Sequence, residues 1–289
     1  MNDKYTAVWV SHTSISDFLE CPRAYYLKHI YKDPKTGHKI KLMTPALALG
    51  SAVHDVLESL SVLPASERFV VPLPQRLNEI WKKISGKRGG FINEDTEHKY
   101  KEEAREMLAR VWRHPGIINS PALKLKKDLP YIWLSEEDNI ILCGKIDWME
   151  YLASTDSVHI VDFKTGKSKD SQSTLQLPIY YVLVSEVQKR PVTKVSYWHL
   201  RHDDIPEEQV LPDLQQARDQ VLEIAKKMKL ARQLKRFKCP SGDGGCRSCL
   251  PFEKIIAGDA EFVGEDEFKY DTYILQRKEE DDDEDGIIL

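Results

Sequence analysis

The sequence predicts an α/β fold in which a mixed sheet is flanked by helices and one helical segment is inserted. Amphipathic helical patterns occupy the region before residue 61, and short runs of β-branched and aromatic residues follow after residue 130. Beyond them a helix, a strand and a long helix alternate, which is the order typical of α/β domains. The chain has 289 residues, 41% of them hydrophobic, and is long enough for one such domain with an insertion.

Two helices are predicted before residue 61. The first is expected over about 14–31, with Ser14 and Asp17 as a pair that caps its free amides. The second is expected over about 46–60, after a loop at 32–45 that is rich in lysine, glycine and proline. Its buried stripe is predicted from the helical spacing of Leu49, Val53, Val56, Leu57 and Leu60.

Residues 61–125 are predicted to form a helical insertion or lid. Three prolines, at 64, 72 and 74, interrupt the chain after the second helix. Helical patterns then resume over 75–113, with a break at GKRGG, 86–90.

The core segment, 126–237, is predicted to hold an antiparallel group of three strands and then a helix, a strand and a long helix. The three strands are expected at YIWL from 131, IILCGKIDWMEYL from 140 and VHIVDFKTG from 158. The later elements are expected at about 175–188, from 195, and at about 213–237.

A tight turn at 153–156 would pair the second and third strands so that Asp147 lies directly opposite Asp162. Because side chains alternate along a strand, Asp162 and Lys164 then share one face. The opposite, apolar face is predicted to hold Ile146, Trp148, Val161 and Phe163.

Two opposed carboxylates with a neighbouring lysine indicate a metal site. Directly opposed Cβ atoms are about 4.5–5.5 Å apart, so like charges there are destabilising unless a cation lies between them. Hard oxygen ligands suit Mg²⁺ or Mn²⁺, and Lys164 could steady charge on a phosphate or orient a water. The alternative is a solvated hairpin face on which Asp and Lys pair as surface charges.

GKID at 144–147 followed by DFKTG at 162–166 resembles the core of the PD-(D/E)XK nuclease superfamily. The similarity is to its RecB-like branch, which includes bacterial helicase–nuclease subunits such as RecB and AddB and small CRISPR-associated exonucleases. Three further segments resemble motifs of that branch in the family's order: SISDFLECPRAYYLKHI at 14–30, GSAVHDVLE at 50–58 and QLPIY at 176–180. The resemblance implies a restriction-endonuclease-like fold.

The resemblance also implies a role for each matching residue. The metal ligands would be His54, Asp147, Asp162 and the backbone carbonyl of Phe163. Lys164 would be the catalytic lysine, and Gln176 and Tyr180 would face the site and the DNA backbone from one side of a helix. Taken alone, His54 is more often a satisfied helix histidine than a ligand. Pro178 requires that helix to begin close to Gln176.

The five cysteines form a second pattern. Cys239, Cys246 and Cys249 lie close together near the C-terminus, in the segment 238–256, while Cys21 lies far away in sequence. The resemblance implies that these four hold a 4Fe–4S cluster joining the two ends of the domain, although zinc accepts the same ligands. The chain departs from the family pattern at one position. The family's final cysteine would fall near Ile255 or Ile256, where this chain has none, and Cys239 is an additional cysteine upstream. Cys143, in an apolar strand, is predicted to be ordinary core.

The C-terminal extension, 257–289, ends in an acidic tail with seven consecutive carboxylates at 279–285. Without them, 39 acidic residues face 42 basic ones, so the body is weakly basic and compatible with DNA binding. The tail is expected to act as a solubilising end. Alternatively, it docks on a protein partner through the apolar residues 287–289, or competes with DNA.

These observations predict a deoxyribonuclease that acts on single-stranded ends or flaps in repair, recombination or CRISPR adaptation. The alternative is a catalytically idle DNA-binding or assembly subunit with the same fold. No apolar run approaches the ~20 residues of a membrane span, and the N-terminus lacks signal-peptide features, so we expect a cytoplasmic protein. The chain has no G-x-x-x-x-G-K-[ST] loop for ATP.

Overall fold

The computed structural model describes residues 3–169 and 175–275, and the acidic tail with its apolar end therefore lies outside the described residues. Within the described part, helices flank three sheets, and each sheet mixes parallel and antiparallel strand pairs. The strand orders are β1-β4-β3, β2-β10-β9 and β5-β6-β7-β8, with bounds given below.

The predicted first helix is three consecutive pieces. After strand β1 (Val8–Val10), helix α1 (His12–Glu20) begins at Ser11, whose hydroxyl and that of Ser14 cap each other's amides. The predicted cap at Ser14 with Asp17 is therefore wrong. The Asp17 carboxylate instead binds Lys28 and His29, at 2.6 and 2.7 Å.

The break after α1 lies at Cys21, whose extended backbone and following proline end the helix. Helix α2 (Pro22–Tyr25) follows, and a single π-helical stretch (Tyr26–Ile30) completes the segment. The predicted loop at 32–45 contains strand β2 (Lys39–Leu42), which pairs in parallel with a strand from the C-terminal region.

Helix α3 (Pro45–Leu60) is capped by Thr44, and its predicted apolar stripe is fully buried. The following segment is helical as predicted, with α4 (Leu73–Trp81) and α5 (Glu94–Arg113) joined through a short 3₁₀ turn at 86–89. These helices pack on α3 in a second hydrophobic core. The buried guanidinium of Arg68 donates to the carbonyls of Leu60 and Ile118 and so ties the segment to the end of α3.

The predicted continuous strand from 140 is two strands in different sheets. Strand β4 (Ile140–Cys143) pairs with β3 (Tyr131–Ser135), whereas β5 (Trp148–Leu152) pairs with β6 (Ser157–Lys164). The chain leaves the first sheet at Gly144, where an added Cβ would lie 3.4 Å from the Tyr180 and Leu183 side chains. The apolar pattern could not reveal this break because both strands are buried.

The register of the β5–β6 hairpin is the predicted one, with Trp148 opposite Val161. The predicted division of its faces is only partly right. Val158 and Ile160, on the Asp162 face, are buried in the first core, so only the end of that face is polar. Ile146 also packs against this first core and not with Trp148, because the chain changes sheet between them.

Helix α6 (Gln176–Val187) connects β6 to the parallel strand β7 (Val192–His199), and β8 (Glu207–Gln209) closes that sheet. Helix α7 (Leu214–Gln233) is capped by Asp213 and ends four residues before the predicted position. Helix α8 (Leu250–Ala257) and strands β9 (Glu261–Glu265) and β10 (Tyr270–Ile274) complete the described chain. Among the described helices, none is long and apolar enough to cross a bilayer.

Candidate metal site and cysteine cluster

Asp147 lies immediately before β5, at the point where the chain enters the second sheet. One of its carboxylate oxygens accepts a hydrogen bond from the backbone N–H of Phe163, at 2.9 Å. The other oxygen lies 3.2 Å from Nδ1 of His54 on α3. The predicted pairing of the hairpin therefore brings Asp147 beside β6, and α3 adds the imidazole.

The close approach of α3 explains the glycine one turn before His54. A Cβ at Gly50 would lie 3.2 Å from the hydroxyl of Thr165, which follows the end of β6. Any larger residue at that position would therefore require the Thr165 side chain to shift by a few tenths of an ångström. The imidazole of His54 then packs edge-on against the Phe163 ring, with centroids 6.1 Å apart.

Asp162 lies on β6 with only 1% of its surface exposed. The ammonium of Lys164 is 2.8 Å from Oδ2 of Asp162, and the amide nitrogen of Gln176 donates to Oδ1 at 2.5 Å. The same Gln176 accepts a hydrogen bond from Lys164 through its amide oxygen. Its amide nitrogen also donates to the Tyr180 hydroxyl at 3.1 Å.

Gln176 is thus the residue through which α6 contacts both Asp162 and Lys164. It stands at the first position of α6, with Pro178 in the first turn, as the sequence predicted. Tyr180, one turn later on the same side of the helix, contacts Gln176 and not the carboxylates directly.

Burial raises the pKa of Asp162, and the nearby charge of Asp147 raises it further, against the opposing effect of Lys164. Burial is the largest single effect on His54 and acts to lower its pKa, but the hydrogen bond to Asp147 and the charges of Asp147 and Asp162 together outweigh burial and raise the pKa. The raised pKa of Asp162 means that burial and Asp147 disfavour its negative charge, a cost that a bound cation would relieve.

The donor set fits a divalent metal. Oδ2 of Asp162 is buried and has no partner with hydrogen-bond geometry among the described residues, although the Lys164 ammonium is close by. An imidazole nitrogen and carboxylate oxygens of this kind suit Mg²⁺ or Mn²⁺. The ring of Phe163 is buried in the second core, so only its backbone is available to such an ion.

Two further residues near this site were not singled out from the sequence. Burial and the charge of Lys164 lower the pKa of His12, in the first turn of α1, to about 4, so this imidazole is neutral. The ammonium of Lys145 lies 2.5 Å from the Glu58 carboxylate, in a shallow depression that Asp147 also lines. The position of Lys145 inside the GKID segment was a signal that could have identified it.

The depression beside Asp147 is rimmed by cationic side chains. Besides Lys145, it is lined by Lys124 and Lys127, which lie in the run LKLKK before β3. Glu58, Asp128 and Asp147 line the same depression, so its three cationic side chains are matched by three carboxylates.

The four predicted cysteines lie together, with their sulfur atoms all within 4.8 Å of one another. They are Cys21 between α1 and α2, Cys239 after α7, and Cys246 and Cys249 before α8. All are free thiols, and the sulfurs of Cys246 and Cys249 are 3.7 Å apart, far beyond a disulfide bond. This arrangement fits a tetrathiolate centre of either iron–sulfur or zinc type.

Backbone amides are directed at these sulfurs. The N–H groups of Ala24 and Cys246 donate to the sulfurs of Cys21 and Cys249. Backbone N–H donors at Ser248 and Cys249 lower the pKa of Cys246, whereas burial raises that of Cys21. Cys143 stands apart from the cluster, is only partly buried and donates to the Val10 carbonyl, and burial raises its pKa to about 11.

A family model described as the PD-(D/E)XK nuclease superfamily matches residues 9–252. The matched region extends from β1 into α8 and includes the carboxylates, His54, Lys164 and all four clustered cysteines. None of the curated proteins matches the chain significantly.

Proposed function

The chain belongs to the PD-(D/E)XK nuclease superfamily, and we propose that it is a metal-dependent deoxyribonuclease of the RecB-like branch. Membership implies a metal-dependent phosphodiester hydrolase that binds DNA. The observation that supports an intact active site is that His54 contacts Asp147 while the neighbouring Lys164 contacts the buried carboxylate of Asp162. A protein that only binds DNA has no need of this charged and buried set.

The proposed ligands of Mg²⁺ or Mn²⁺ are His54, Asp147, Asp162 and the carbonyl of Phe163. When bound, such an ion polarises the phosphate and lowers the pKa of a water that attacks it. The remaining steps fall to side chains of the chain itself. The ammonium of Lys164 steadies charge that develops on the phosphate oxygens, because it is held at the edge of the buried site.

Gln176 and Tyr180 are proposed to orient the site. Gln176 fixes the positions of Lys164 and Asp162 at once, since one amide contacts both. The Tyr180 oxygen accepts from Gln176, which leaves the Tyr180 proton free to donate to a phosphate oxygen of the DNA.

The proposed substrate is a single-stranded DNA end or flap, in repair, recombination or CRISPR adaptation in the cytoplasm. The cationic rim of Lys124, Lys127 and Lys145 beside Asp147 supports a path for the phosphate backbone. The segment 61–125 is proposed to form a wall of this path. Its anchoring by Arg68 and its shared core with α3 favour a fixed wall over a mobile lid.

The cysteine cluster is proposed to hold a 4Fe–4S cluster, with zinc as the alternative ion. The support is a closed set of four thiols with backbone donors directed at the sulfurs, which both centres share. Visible absorption and metal content of anaerobically purified protein distinguish them, because an iron–sulfur protein is brown and zinc protein is colourless.

The test of the function is incubation with end-labelled single- and double-stranded DNA in Mg²⁺, in Mn²⁺ or in EDTA. We expect cleavage of the single strand in either ion, none in EDTA, and none with Asp162→Asn. Retained binding without cleavage in every ion would instead identify an idle DNA-binding subunit.

A further inference from the structure

A cavity of about 650 Å³ lies between the π-helical stretch, the end of α7 and α8. Its lining contains three aromatic and three cationic side chains, here called the aromatic–cationic groove. They are Arg23, Tyr26, Tyr31, Arg232, Lys235 and Phe237. None of these residues has a part in the proposed active site.

The aromatic side chains form a platform. The rings of Tyr26 and Phe237 are stacked, with centroids 4.9 Å apart and planes inclined by 25°. Tyr31 meets Tyr26 edge-on at 6.2 Å. All three are only partly buried, so the platform keeps surface that a planar ligand can cover.

The backbone at the end of α7 places Phe237 on this platform. Lys235 adopts a left-handed conformation, with φ of 51°, and the N–H of Arg236 bonds back to the carbonyl of Ala231. The chain therefore reverses direction at the helix end and returns Phe237 across it toward Tyr26.

Positive charge exceeds negative charge in the groove. Its one carboxylate, that of Glu253, is bound by Arg23 at 2.5 Å. Arg232 hydrogen-bonds the Tyr25 side chain, and neither Arg232 nor Lys235 makes an ion pair within the described part of the chain, so neither positive charge is neutralised by a carboxylate. Arg236 and Lys238 are exposed next to them and add to the local positive charge.

We infer that the aromatic–cationic groove binds single-stranded nucleic acid, with a base against Tyr26 and Phe237 and phosphates on Arg232 and Lys235. Stacking on aromatic side chains combined with cations along the backbone is the chemistry by which proteins hold single strands. An acidic peptide would use the cations but leave the aromatic faces without a matching partner. This inference goes beyond the proposed function, because binding here requires no cleavage.

The groove and the active site are close enough for one strand to occupy both. The first turn of α1 lies near Lys164, whose charge affects His12, and the end of α1 leads through Cys21 into Arg23. Helix α1 has nine residues and is therefore about 14 Å long, a span that a few nucleotides cover.

The test measures binding of a fluorescein-labelled oligothymidylate to the full chain by anisotropy, without added divalent ions. Tyr26→Leu and Phe237→Leu keep an apolar side chain but remove the ring, and each should weaken binding roughly 5- to 100-fold. Asparagine tolerates the left-handed backbone at position 235, so Lys235→Asn should keep the fold. It should reduce the dependence of DNA affinity on salt concentration by about the amount of one phosphate contact. The matched control is Lys227→Asn, at an exposed lysine earlier on α7. It should change neither the affinity for oligothymidylate nor the salt dependence of that affinity.

Unchanged affinity in both ring variants, with melting temperature and metal content preserved, would overturn the inference. If those variants do not fold, ultraviolet cross-linking of the wild-type protein to oligothymidylate tests whether the groove binds the strand. Cross-links at Tyr26, Tyr31 or Phe237 support the groove, and cross-links confined to other peptides contradict it. A synthetic peptide, EEDDDEDGIIL, tests for an acidic occupant. If Lys235→Asn abolishes binding of this peptide but leaves binding of oligothymidylate unchanged, the groove binds an acidic segment instead.

Cleavage of bis(p-nitrophenyl) phosphate separates this inference from the proposed function. This small phosphodiester does not extend to the groove, so Phe237→Leu and Lys235→Asn should hydrolyse it at the wild-type rate. Failure of the wild-type protein to cleave any phosphodiester would contradict the proposed nuclease and leave the binding result as it stands.

Discussion

The cysteine cluster and the carboxylate site are both candidate metal centres, but they are built in opposite ways. The four sulfurs lie within 4.8 Å of one another, so they form a complete set of four ligands that includes no carboxylate or imidazole. His54, Asp147 and Asp162 are not drawn together to that extent. Asp162 is instead held by Lys164 and Gln176, and Asp147 by the backbone of Phe163.

The difference supports the proposal that the cluster has a structural role and the carboxylate site a catalytic one. Structural metal sites satisfy the ion with protein ligands alone, whereas catalytic sites keep positions open for water and substrate. The cluster offers four thiols from both ends of the matched region, which is a complete set for a tetrahedral ion. The carboxylates are instead held in a defined arrangement by hydrogen bonds and an ion pair to neighbouring groups.

The largest effect is expected from breaking the cluster. Cys249→Ser removes a fully buried ligand, so the protein should lose its metal and about 4 kcal/mol or more of unfolding free energy. Metal analysis and denaturant unfolding measure both quantities. Cys143→Ser is the matched control and should keep the metal. Equal metal loss in the two variants would mean that the cluster is not the binding site.

Changes at the carboxylate site should instead abolish activity and spare the fold. Lys164→Ala and Asp162→Asn should each reduce the cleavage rate at least about 100-fold, because charge stabilisation or a metal ligand is lost. Circular dichroism and metal content at the cluster should be unchanged. The defect of Lys164→Ala should appear in kcat more than in KM. Wild-type rates in either variant would contradict the assignment.

The raised pKa of Asp162 predicts a pH dependence that the cluster does not share. The pKa of Asp162 is higher in the folded state than its ordinary value of 3.8 in the unfolded state. The protonated carboxyl therefore stabilises the fold at pH values below 3.8, and this contribution is lost as the pH rises through the pKa of the folded state. Added Ca²⁺ should relieve this loss and raise the melting temperature by about 3 °C at pH 8, and by less at pH 5, where protons compete.

Asp162→Asn is the control for that pH dependence, because it removes the titrating group while keeping its shape. The metal-free variant should melt at or above the wild-type temperature at pH 8, and Ca²⁺ should shift it less. A Ca²⁺ shift that is equal at both pH values in wild type and variant would show that Asp162 is not responsible.

The smallest effect is expected at Tyr180. Tyr180→Phe removes the hydroxyl that accepts from Gln176, so one hydrogen bond is lost and the ring packing is kept. We expect kcat to fall roughly 2- to 10-fold, with melting temperature unchanged. Tyr181→Phe, the partly buried neighbour, should leave kcat unaltered. Equal effects in the two variants would remove Tyr180 from the site.

Local patterns predicted the centre of the fold well. The hairpin turn and the alternation of side chains gave the register that brings Asp147 beside Asp162, because both are determined by neighbouring residues. Helical spacing gave the buried stripe of α3. The close spacing of three cysteines near the C-terminus, with Cys21 added from the family resemblance, identified the four that cluster.

Contacts between distant segments could not be predicted in the same way. Strand β2 alternates over only four residues, and β9 is partly exposed and has glutamates at both ends, so neither gives a strong strand pattern. Their sheet exists because β10 returns from the C-terminal region to pair with both. The proximity of His12 to Lys164 likewise depends on tertiary packing of α1 and left no local signal.

The long separation between Cys21 and the other three cysteines also has a consequence for biogenesis. Cys21, His54 and the carboxylates leave the ribosome well before Cys239, Cys246 and Cys249. A domain folds as a unit, so the thiol cluster cannot be completed until nearly all of the described chain has been synthesised. Loading of the proposed metal at the thiols would therefore be a late step in maturation.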